Sequence, residues 1–373
     1  QVTGDDNLTS RVLLLLVKLS HANHTGNIQV ADEIWDDYLE IEPHLPTLGI
    51  DGLNLVAAIR NRRAVSLTDR FLYEEALGVL LHVVSERETL LETMANLYGV
   101  PVEKLPRQQL GECLGSLGQV YAFLGTETTH LKAVECFRRA AALFQSPRDR
   151  ERQLVYLGHL ACDMGDAGRP LWEEAISEIS KLGSDKPEFR SGEQFLLALW
   201  LKGRLVFGDK SQVRSFVQNL PPSTALLQDF SPEEQRNHPF GLIHQTIAML
   251  FAQAWEQTPE DPLAEKALEE FELASQLMSP RAGVLKLLGH VAECRRTLFR
   301  LRVSKESKNQ RKKLALQLRA VLGLLAENFS PGGWDEDEEG QATGWFGDRD
   351  PGTHCSIPER VESLLTGIRF NYW

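Results

Sequence analysis

Histidine and cysteine side chains that could do chemistry lie close together at two points of the chain. His21 and His24 are three residues apart and near Asp32, and imidazole and carboxylate groups can bind zinc. His354 and Cys355 are adjacent, and a thiol beside an imidazole is a candidate nucleophile. The pair His21 and His24 lacks the further ligands that a zinc site needs. The pair His354 and Cys355 lacks a base that is held in contact with the thiol. We therefore predict no catalytic residue, no metal site and no cofactor.

A cluster of basic residues near the C-terminus is the second chemical feature. Residues 293–319 contain ten Arg or Lys and two Glu, a net charge of 10 − 2 = +8, whereas the whole chain carries −12. Such a segment can bind phosphates or an acidic protein surface. The alternative is a solvated helix face, neutralised by the acidic residues 335–339. We assign to this basic patch nine positions: Arg295, Arg296, Arg300, Arg302, Lys305, Lys308, Arg311, Lys312 and Lys313.

Composition limits the class of protein. Of 373 residues, 42% are hydrophobic and 25% charged, which is typical of a soluble folded chain, and the net charge of −12 argues against general affinity for nucleic acid. Five cysteines without a CxxC motif indicate reduced thiols and a cytoplasmic or nuclear location. The longest apolar run, residues 12–17, is too short to span a bilayer, so we expect no membrane partner. Because the chain starts with Gln, we expect the natural protein to begin upstream.

The elements that must position these residues are predicted to be helices. Three stretches place a small or aromatic residue at relative positions 0, 4 and 7, which share one helical face, and each is followed by a proline. They are Ala31/Trp35/Tyr38 then Pro43, Ala133/Phe137/Ala140 then Pro147, and Ala267/Phe271/Ala274 then Pro280. The small residue lets a neighbouring helix approach, and the aromatic ring fills the gap. The pattern predicts a stack of helical hairpins.

The rest of the chain favours the same fold class. We predict helices over residues 11–24, 30–42, 50–63 and 70–97, with capping residues at 66–69 between the last two. No strand-like alternation appears, so we expect an all-α protein of 14 to 17 helices. We divide the chain into N-terminal hairpins (1–98), a repeat array (107–329), an acidic Gly-rich loop (330–355) and a C-terminal helix with an aromatic tail (356–373).

The hairpins resemble tetratricopeptide repeats, which are 34-residue helical hairpins with a Leu-Gly…Tyr…Ala…Phe…Ala…Pro pattern. In the middle of the chain the matching residues are Leu117, Gly118, Tyr121, Ala133, Phe137 and Ala140. In the first hairpin they are Leu15, Gly26, Ala31, Trp35, Tyr38 and Pro43. The middle unit is longer than the family's repeat, with three extra residues that we place in the turn near residues 126–130.

The resemblance implies a right-handed superhelix of TPR-like hairpins with irregular insertions, and a concave groove that holds a partner protein. The positions that the resemblance places in this groove are Glu112, Gln119, His159, Asp163, Lys286 and His290. We therefore expect a non-enzymatic scaffold, adaptor or regulatory subunit in a larger complex. Two alternatives stay open: a nucleic-acid-associated subunit that uses the basic patch, or the helical-repeat part of a larger protein whose catalytic domain lies elsewhere.

Overall fold

The structure is a computed structural model that describes residues 4–25, 27–70, 72–183, 190–227, 238–279, 283–303 and 313. Within these residues the chain forms fourteen α-helices and four 3-10 turns, with no β-strand, so the prediction of an all-α protein is confirmed for this part. The first eight helices are α1 Gly4–Thr25, α2 Ile28–Ile41, α3 Gly49–Asp69, α4 Tyr73–Tyr98, α5 Gln108–Leu124, α6 Glu127–Leu143, α7 Pro147–Asp163 and α8 Arg169–Gly183. The others are α9 Arg190–Phe207, α10 Val213–Asn219, α11 Ser223–Leu226, α12 His238–Gln257, α13 Asp261–Met278 and α14 Gly283–Val303.

The described residues divide into two compact units, one that ends at residue 192 and one that begins at residue 193. In the first unit α1 packs on α2, and from α3 to α8 each helix packs on the next; α1 also packs on α3, α3 on α5, and α5 on α7. In the second unit α12 packs on α13 and α13 on α14, while α10 also contacts α12. Both units are therefore built from helices that pack mainly on their neighbours in sequence.

The residues at relative positions 0, 4 and 7 form the contacts between helices. Ala133, Phe137 and Ala140 of α6 are at most 1% exposed, and Ala267, Phe271 and Ala274 of α13 are equally well buried. On α2, Ala31 and Tyr38 are buried, whereas Trp35 is half-buried and stacks on Tyr38 with a ring separation of 5.0 Å. The predicted packing face is therefore confirmed on all three helices.

The α5–α6 hairpin contains a close approach between a glycine and an aromatic ring that both belong to the repeat pattern. A Cβ atom added to Gly118 would lie 2.7 Å from Cε1 of Phe137, so only glycine fits there without a shift. Gly125 ends α5 in the left-handed region (φ 70°), and Thr126 caps α6. We expected three extra residues in this turn, but residues 127–130 form the first turn of α6 instead. The insertion lengthens the helix and leaves the turn short.

The predicted cap at residues 66–69 is wrong. These residues lie inside α3, which continues to Asp69, and the Thr68 hydroxyl donates to the carbonyl of Ala64 at 2.8 Å. A threonine can bond the preceding helical turn as well as cap the next helix, so its presence alone does not mark a boundary. The residue that precedes α4 is Leu72, which makes no side-chain capping hydrogen bond.

Several predicted segments lie outside the described residues: the acidic loop 330–355, the C-terminal segment 356–373, and His354 with Cys355. The four cysteines that the structure describes, Cys113, Cys136, Cys162 and Cys294, are buried free thiols. In the described part of the chain, none of the helices combines the length and the apolar character that crossing a membrane requires.

Candidate functional site

A cavity of about 510 Å³ lies in the first unit, between α3, α4 and the start of α5. Helix α3 contributes Asn54, Ala58, Asn61 and Arg62, which fall on one face because they are spaced at 0, 4, 7 and 8. Helix α4 contributes Arg87, Leu90, Leu91 and Met94 at spacings of 0, 3, 4 and 7. Glu112 and Cys113 of α5 complete the polar side of the lining. Three amphipathic helices therefore place polar and apolar groups around one space.

Arg87 is the most unusual residue of this cavity, because its side chain is only 4% exposed. Its two terminal nitrogens donate to Asn54, one to the side-chain Oδ1 and one to the backbone carbonyl at 2.7 Å. Its Nε has no hydrogen-bond partner, and no ion pair joins Arg87 to a carboxylate within the described residues. Burial lowers the pKa of Arg87, although the neighbouring Cys113 and Glu112 oppose that shift. The guanidinium is thus buried against neutral partners.

Two neighbours of Arg87 are also affected by burial. Asn61 is 6% exposed, and its Oδ1 has no hydrogen-bond partner. Burial raises the pKa of the Cys113 thiol to about 11, while the charge of Arg87 acts in the opposite direction. Cys113 is therefore a neutral thiol at neutral pH and a poor nucleophile. The cavity has groups suited to binding and no activated nucleophile among the lining residues named above.

The predicted groove residues of the first unit lie on two helices that pack on each other, α5 and α7. Glu112 is exposed and lines the cavity, whereas Gln119 is half-buried and hydrogen-bonds Tyr156 of α7. His159 is 1% exposed, so it lies in the packed interior, and Asp163, one turn further along α7, is half-buried. The structure thus brings Glu112 to the cavity and Gln119 to the α5–α7 contact.

The remaining groove residues belong to α14 of the second unit. His290 is half-buried, whereas the side chain of Lys286 is not among those that the structure describes. The assignment of all six positions to a partner-binding groove stays a prediction.

The basic patch is described at only a few of its positions. Arg296 pairs with Glu293 at 2.9 Å and with Glu272 of α13 at 3.8 Å, and Arg295 contacts the Met249 sulfur of α12 at 2.9 Å. Arg300 is half-buried, and Lys313 is exposed. The side chain of Arg302 and the residues Lys305, Lys308, Arg311 and Lys312 lie outside the described part. The first two arginines of the patch therefore also stabilise their own unit.

We considered Asp32 as a metal ligand together with His21 and His24. In the structure its carboxylate binds two arginines, Arg63 of α3 and Arg70, which directly follows α3. Arg63 Nη1 lies 2.5 Å and Arg70 Nη1 2.8 Å from its carboxylate. Desolvation alone would raise the pKa of Asp32, but the hydrogen bonds and charges of Arg63 and Arg70 outweigh it and lower the pKa below 3.8. Within the described residues, no group of three or more His, Cys, Asp or Glu side chains could hold a metal ion.

Helix α1 presents an apolar surface on both sides. Val12, Leu15 and Leu19 are buried in the core shared with α2 and α3. On the opposite face Leu13, Leu14 and Val17 are 46%, 53% and 65% exposed. We call these three residues the α1 outer face. Three adjacent exposed aliphatic side chains on one helix are typical of a contact surface rather than of scattered surface residues.

No protein-family model matches the chain, and no curated protein sequence is significantly similar to it.

The cavity was not predicted from the sequence, although one signal of it was present. In α4 the buried residues Val83, Val84, Leu90 and Leu91 form an apolar stripe, and Arg87 lies in the middle of that stripe. An arginine within an otherwise apolar face indicates a buried charge. The neighbouring Glu86, Glu88 and Glu92 obscure this signal, because a segment so rich in glutamate resembles a solvated helix.

Proposed function

We propose that the chain is a non-enzymatic scaffold of TPR-like hairpins, wound as a right-handed superhelix, that binds another protein. The hairpin character is supported by the close Gly118–Phe137 approach and by the buried small and aromatic residues of α6 and α13. These are the contacts that the repeat pattern requires between its two helices. Of the predicted groove positions in the first unit, Glu112, Gln119 and Asp163 are not buried and would face the partner.

The observation that carries the binding function is the α1 outer face. A helix that has apolar side chains on two opposite faces is normally covered on both of them. The side opposite the core has no covering helix among the described residues, so Leu13, Leu14 and Val17 remain open to solvent. Each fully covered aliphatic side chain contributes roughly 1.5–3 kcal/mol, which is enough for this face to act as a small binding hot spot.

We further propose that the occupant is an amphipathic helix of the partner. Arg11 and Lys18 are exposed on α1 next to Leu14. A partner helix with an apolar stripe and acidic residues along one edge would match both the leucines and these cations. The same cations would disfavour a partner with a basic edge.

The double variant Leu14→Glu/Val17→Glu tests this function. Both side chains point away from the core, so the fold should be retained, as circular dichroism can verify. The matched control is Leu131→Glu on α6, whose leucine is 61% exposed. We expect partners that co-purify with the wild-type chain and with the control to be lost from the double variant.

Two results would contradict the proposal. The first is a partner set that is the same for all three proteins. The second is self-association of the purified wild-type chain in analytical ultracentrifugation that the double variant abolishes, because the α1 outer face would then join two copies of this chain.

A further inference from the structure

The buried guanidinium of Arg87 forms no ion pair with a carboxylate among the described residues. Of the arginines and lysines whose side chains the structure describes, only Arg87 is buried. Arg60, Arg63, Arg138 and Arg139 each have a carboxylate within 2.7 Å, whereas Arg87 has Asn54 and the thiol of Cys113. A buried charge is normally paired, since removing it from water is costly. An anion bound in the cavity would supply the ion pair that Arg87 lacks among the described residues.

The charges around the cavity leave room for one negative group. The charged residues of the lining are Arg62, Arg87 and Glu112, which sum to 2 − 1 = +1. Glu86, which lies close enough to affect the pKa of Arg87, is bound to Arg60 at 2.7 Å and to His82 at 3.1 Å. A monoanion would therefore neutralise the cavity, whereas a dianion would carry excess charge into a partly buried site.

The geometry of the polar side fits an acceptor with two oxygens. A guanidinium has five N–H donors in a planar fork, and two of them are used by Asn54. Asn61 lies two turns after Asn54 on α3, and its side-chain amide oxygen has no hydrogen-bond partner. Rotating this amide by half a turn exchanges its oxygen and its N–H₂ group, so that the N–H₂ group takes the position of the oxygen. A carboxylate can accept two parallel hydrogen bonds from an arginine, with an amide donor beside them.

The opposite side of the cavity is apolar. Leu90 and Leu91 of α4 are buried, and Leu16 of α1 and Met94 of α4 are half-buried. A cavity of about 510 Å³ is within the range of small-molecule sites, which combine an apolar wall with a few polar groups that fix orientation. Water molecules in the cavity could accept hydrogen bonds from Arg87, but they would also be in contact with the apolar side chains of Leu90 and Leu91, which is unfavourable.

We propose that this cavity binds a small amphipathic monocarboxylate, with the carboxylate at Arg87 and the apolar chain against Leu90, Leu91 and Met94. The proposal does not depend on the partner-binding function, because the α1 outer face is formed by other residues. Glu112, which we predicted as a groove residue, acts here as a charge at the edge of the cavity that weakens binding of an anion.

Octanoate is a suitable probe, and its binding is measured by titration calorimetry and by the rise in melting temperature that a native-state ligand produces. We expect octanoate to bind, octanol to bind at least about ten-fold more weakly, and affinity to increase with chain length from butanoate to octanoate. Octyl phosphate, which carries more negative charge, should bind more weakly than octanoate. Equal binding of octanol and octanoate would overturn the assignment of Arg87 as the anion site.

Two substitutions locate the binding site. Arg87→Met keeps the length of the side chain and removes its charge, and should weaken octanoate binding by about ten-fold or more. Glu112→Gln changes an exposed residue, should leave folding intact, and should strengthen binding because it removes the opposing charge. Its matched control is Glu92→Gln, an exposed glutamate of α4 outside the lining, which alters net charge equally and should leave the affinity unchanged.

Glu112→Gln keeps the proposal testable even if Arg87→Met fails to fold. No binding of octanoate at millimolar concentration, or equal affinities of the Glu112→Gln and Glu92→Gln variants, would refute the proposal.

Discussion

Single glycines decide whether the first unit can pack as it does. Gly118 lies against the ring of Phe137, where an added Cβ would be 2.7 Å from a ring carbon. Phe137 is buried and cannot move aside without displacing other core residues. A glycine inside a helix is otherwise unfavourable, so this close contact gives a physical reason for the Leu117-Gly118 pair inside α5.

We predict that Gly118→Ala destabilises the protein by about 1–3 kcal/mol, the usual cost of overpacking a core. Gly78→Ala is the control: Gly78 is exposed within α4, and its added Cβ would meet nothing within 4 Å. That substitution should stabilise the chain by about 0.5–1 kcal/mol through helix propensity. Urea denaturation of both variants measures the difference. A Gly118→Ala protein as stable as the wild type would mean that α5 and α6 are further apart than described.

Asp32 should make the stability of the protein depend on pH, and its ion pairs with Arg63 and Arg70 determine the direction of that dependence. Because its pKa is lowered in the folded state, its contribution to stability is present above the unfolded value of 3.8 and is lost as pH falls through the folded pKa. We predict that Asp32→Asn lowers stability at pH 7 and that the gap to wild type narrows below about pH 4. Asp36→Asn, an exposed position on the same helix, is the control. Denaturation curves at several pH values would show the reverse trend if Arg63 and Arg70 did not bind Asp32.

At the scale of the helices, periodic patterns in the sequence were sufficient to predict where helices form, whereas capping residues did not predict where α3 ends. The predicted helices over 11–24, 30–42, 50–63 and 70–97 correspond to α1–α4. Their interiors were predictable because one face is apolar at helical spacing. The end of α3 was not, because Ser66 and Thr68 are buried within the helix rather than free to cap the next one. Tertiary burial outweighed local capping preference at that boundary.

The α5–α6 hairpin shows the same limit in another form. The extra residues of this unit were predicted, but their conformation was not. They extend α6 by one turn, and Thr126 and Thr129 cap the start of that turn. Thr126 and Thr129 satisfy each other's backbone groups, an arrangement that usually needs Glu or Gln at the second position. The extension leaves the packing face of α6 unchanged, since Ala133, Phe137 and Ala140 remain buried.

We predict that Phe137→Ala destabilises the first unit by about 3–5 kcal/mol, as expected for a buried aromatic residue. Phe137 is 1% exposed and its ring lies 5.6 Å from that of Tyr156 on α7, so its loss affects the contacts of both α5 and α7. Leu131→Ala, which truncates a 61% exposed side chain of the same helix, should change stability far less. Chemical denaturation measures both. A loss below about 1 kcal/mol for Phe137→Ala would be inconsistent with its place in the hairpin.

At the scale of the whole molecule, function was harder to predict than fold. The hairpin pattern is repeated along the chain, so each occurrence supports the others. Arg87 occurs once, and the apolar stripe of α4 that contains it does not show which helices cover it, because that depends on how α3, α4 and α5 meet. The α1 outer face likewise becomes visible only when the buried side of α1 is known, because the run of residues 12–17 is apolar throughout.

The buried thiols should make the protein sensitive to alkaline pH. Burial raises the pKa of Cys113 and of Cys136 to about 11, and it also raises that of Cys294. Because these thiols ionise near pH 9 only when the chain unfolds, the unfolded state releases protons first, and stability falls as pH rises from about 9 towards 11. Each thiol contributes roughly 1.4 kcal/mol per pH unit within that window.

We therefore predict that the urea midpoint of the wild-type protein, measured under reducing conditions, decreases as the pH rises from about 8.5 to about 10.5. The midpoint of Cys136→Ala should decrease less over the same pH range, whether or not this variant is less stable than wild type at pH 7. Cys136 is 7% exposed on α6, so the substitution leaves a small cavity but removes an ionisable group. Val120→Ala on α5, which truncates a fully buried side chain that has no ionisable group, controls for the cavity. If the slope with pH were the same in all three proteins, ionisation of Cys136 would not be linked to unfolding.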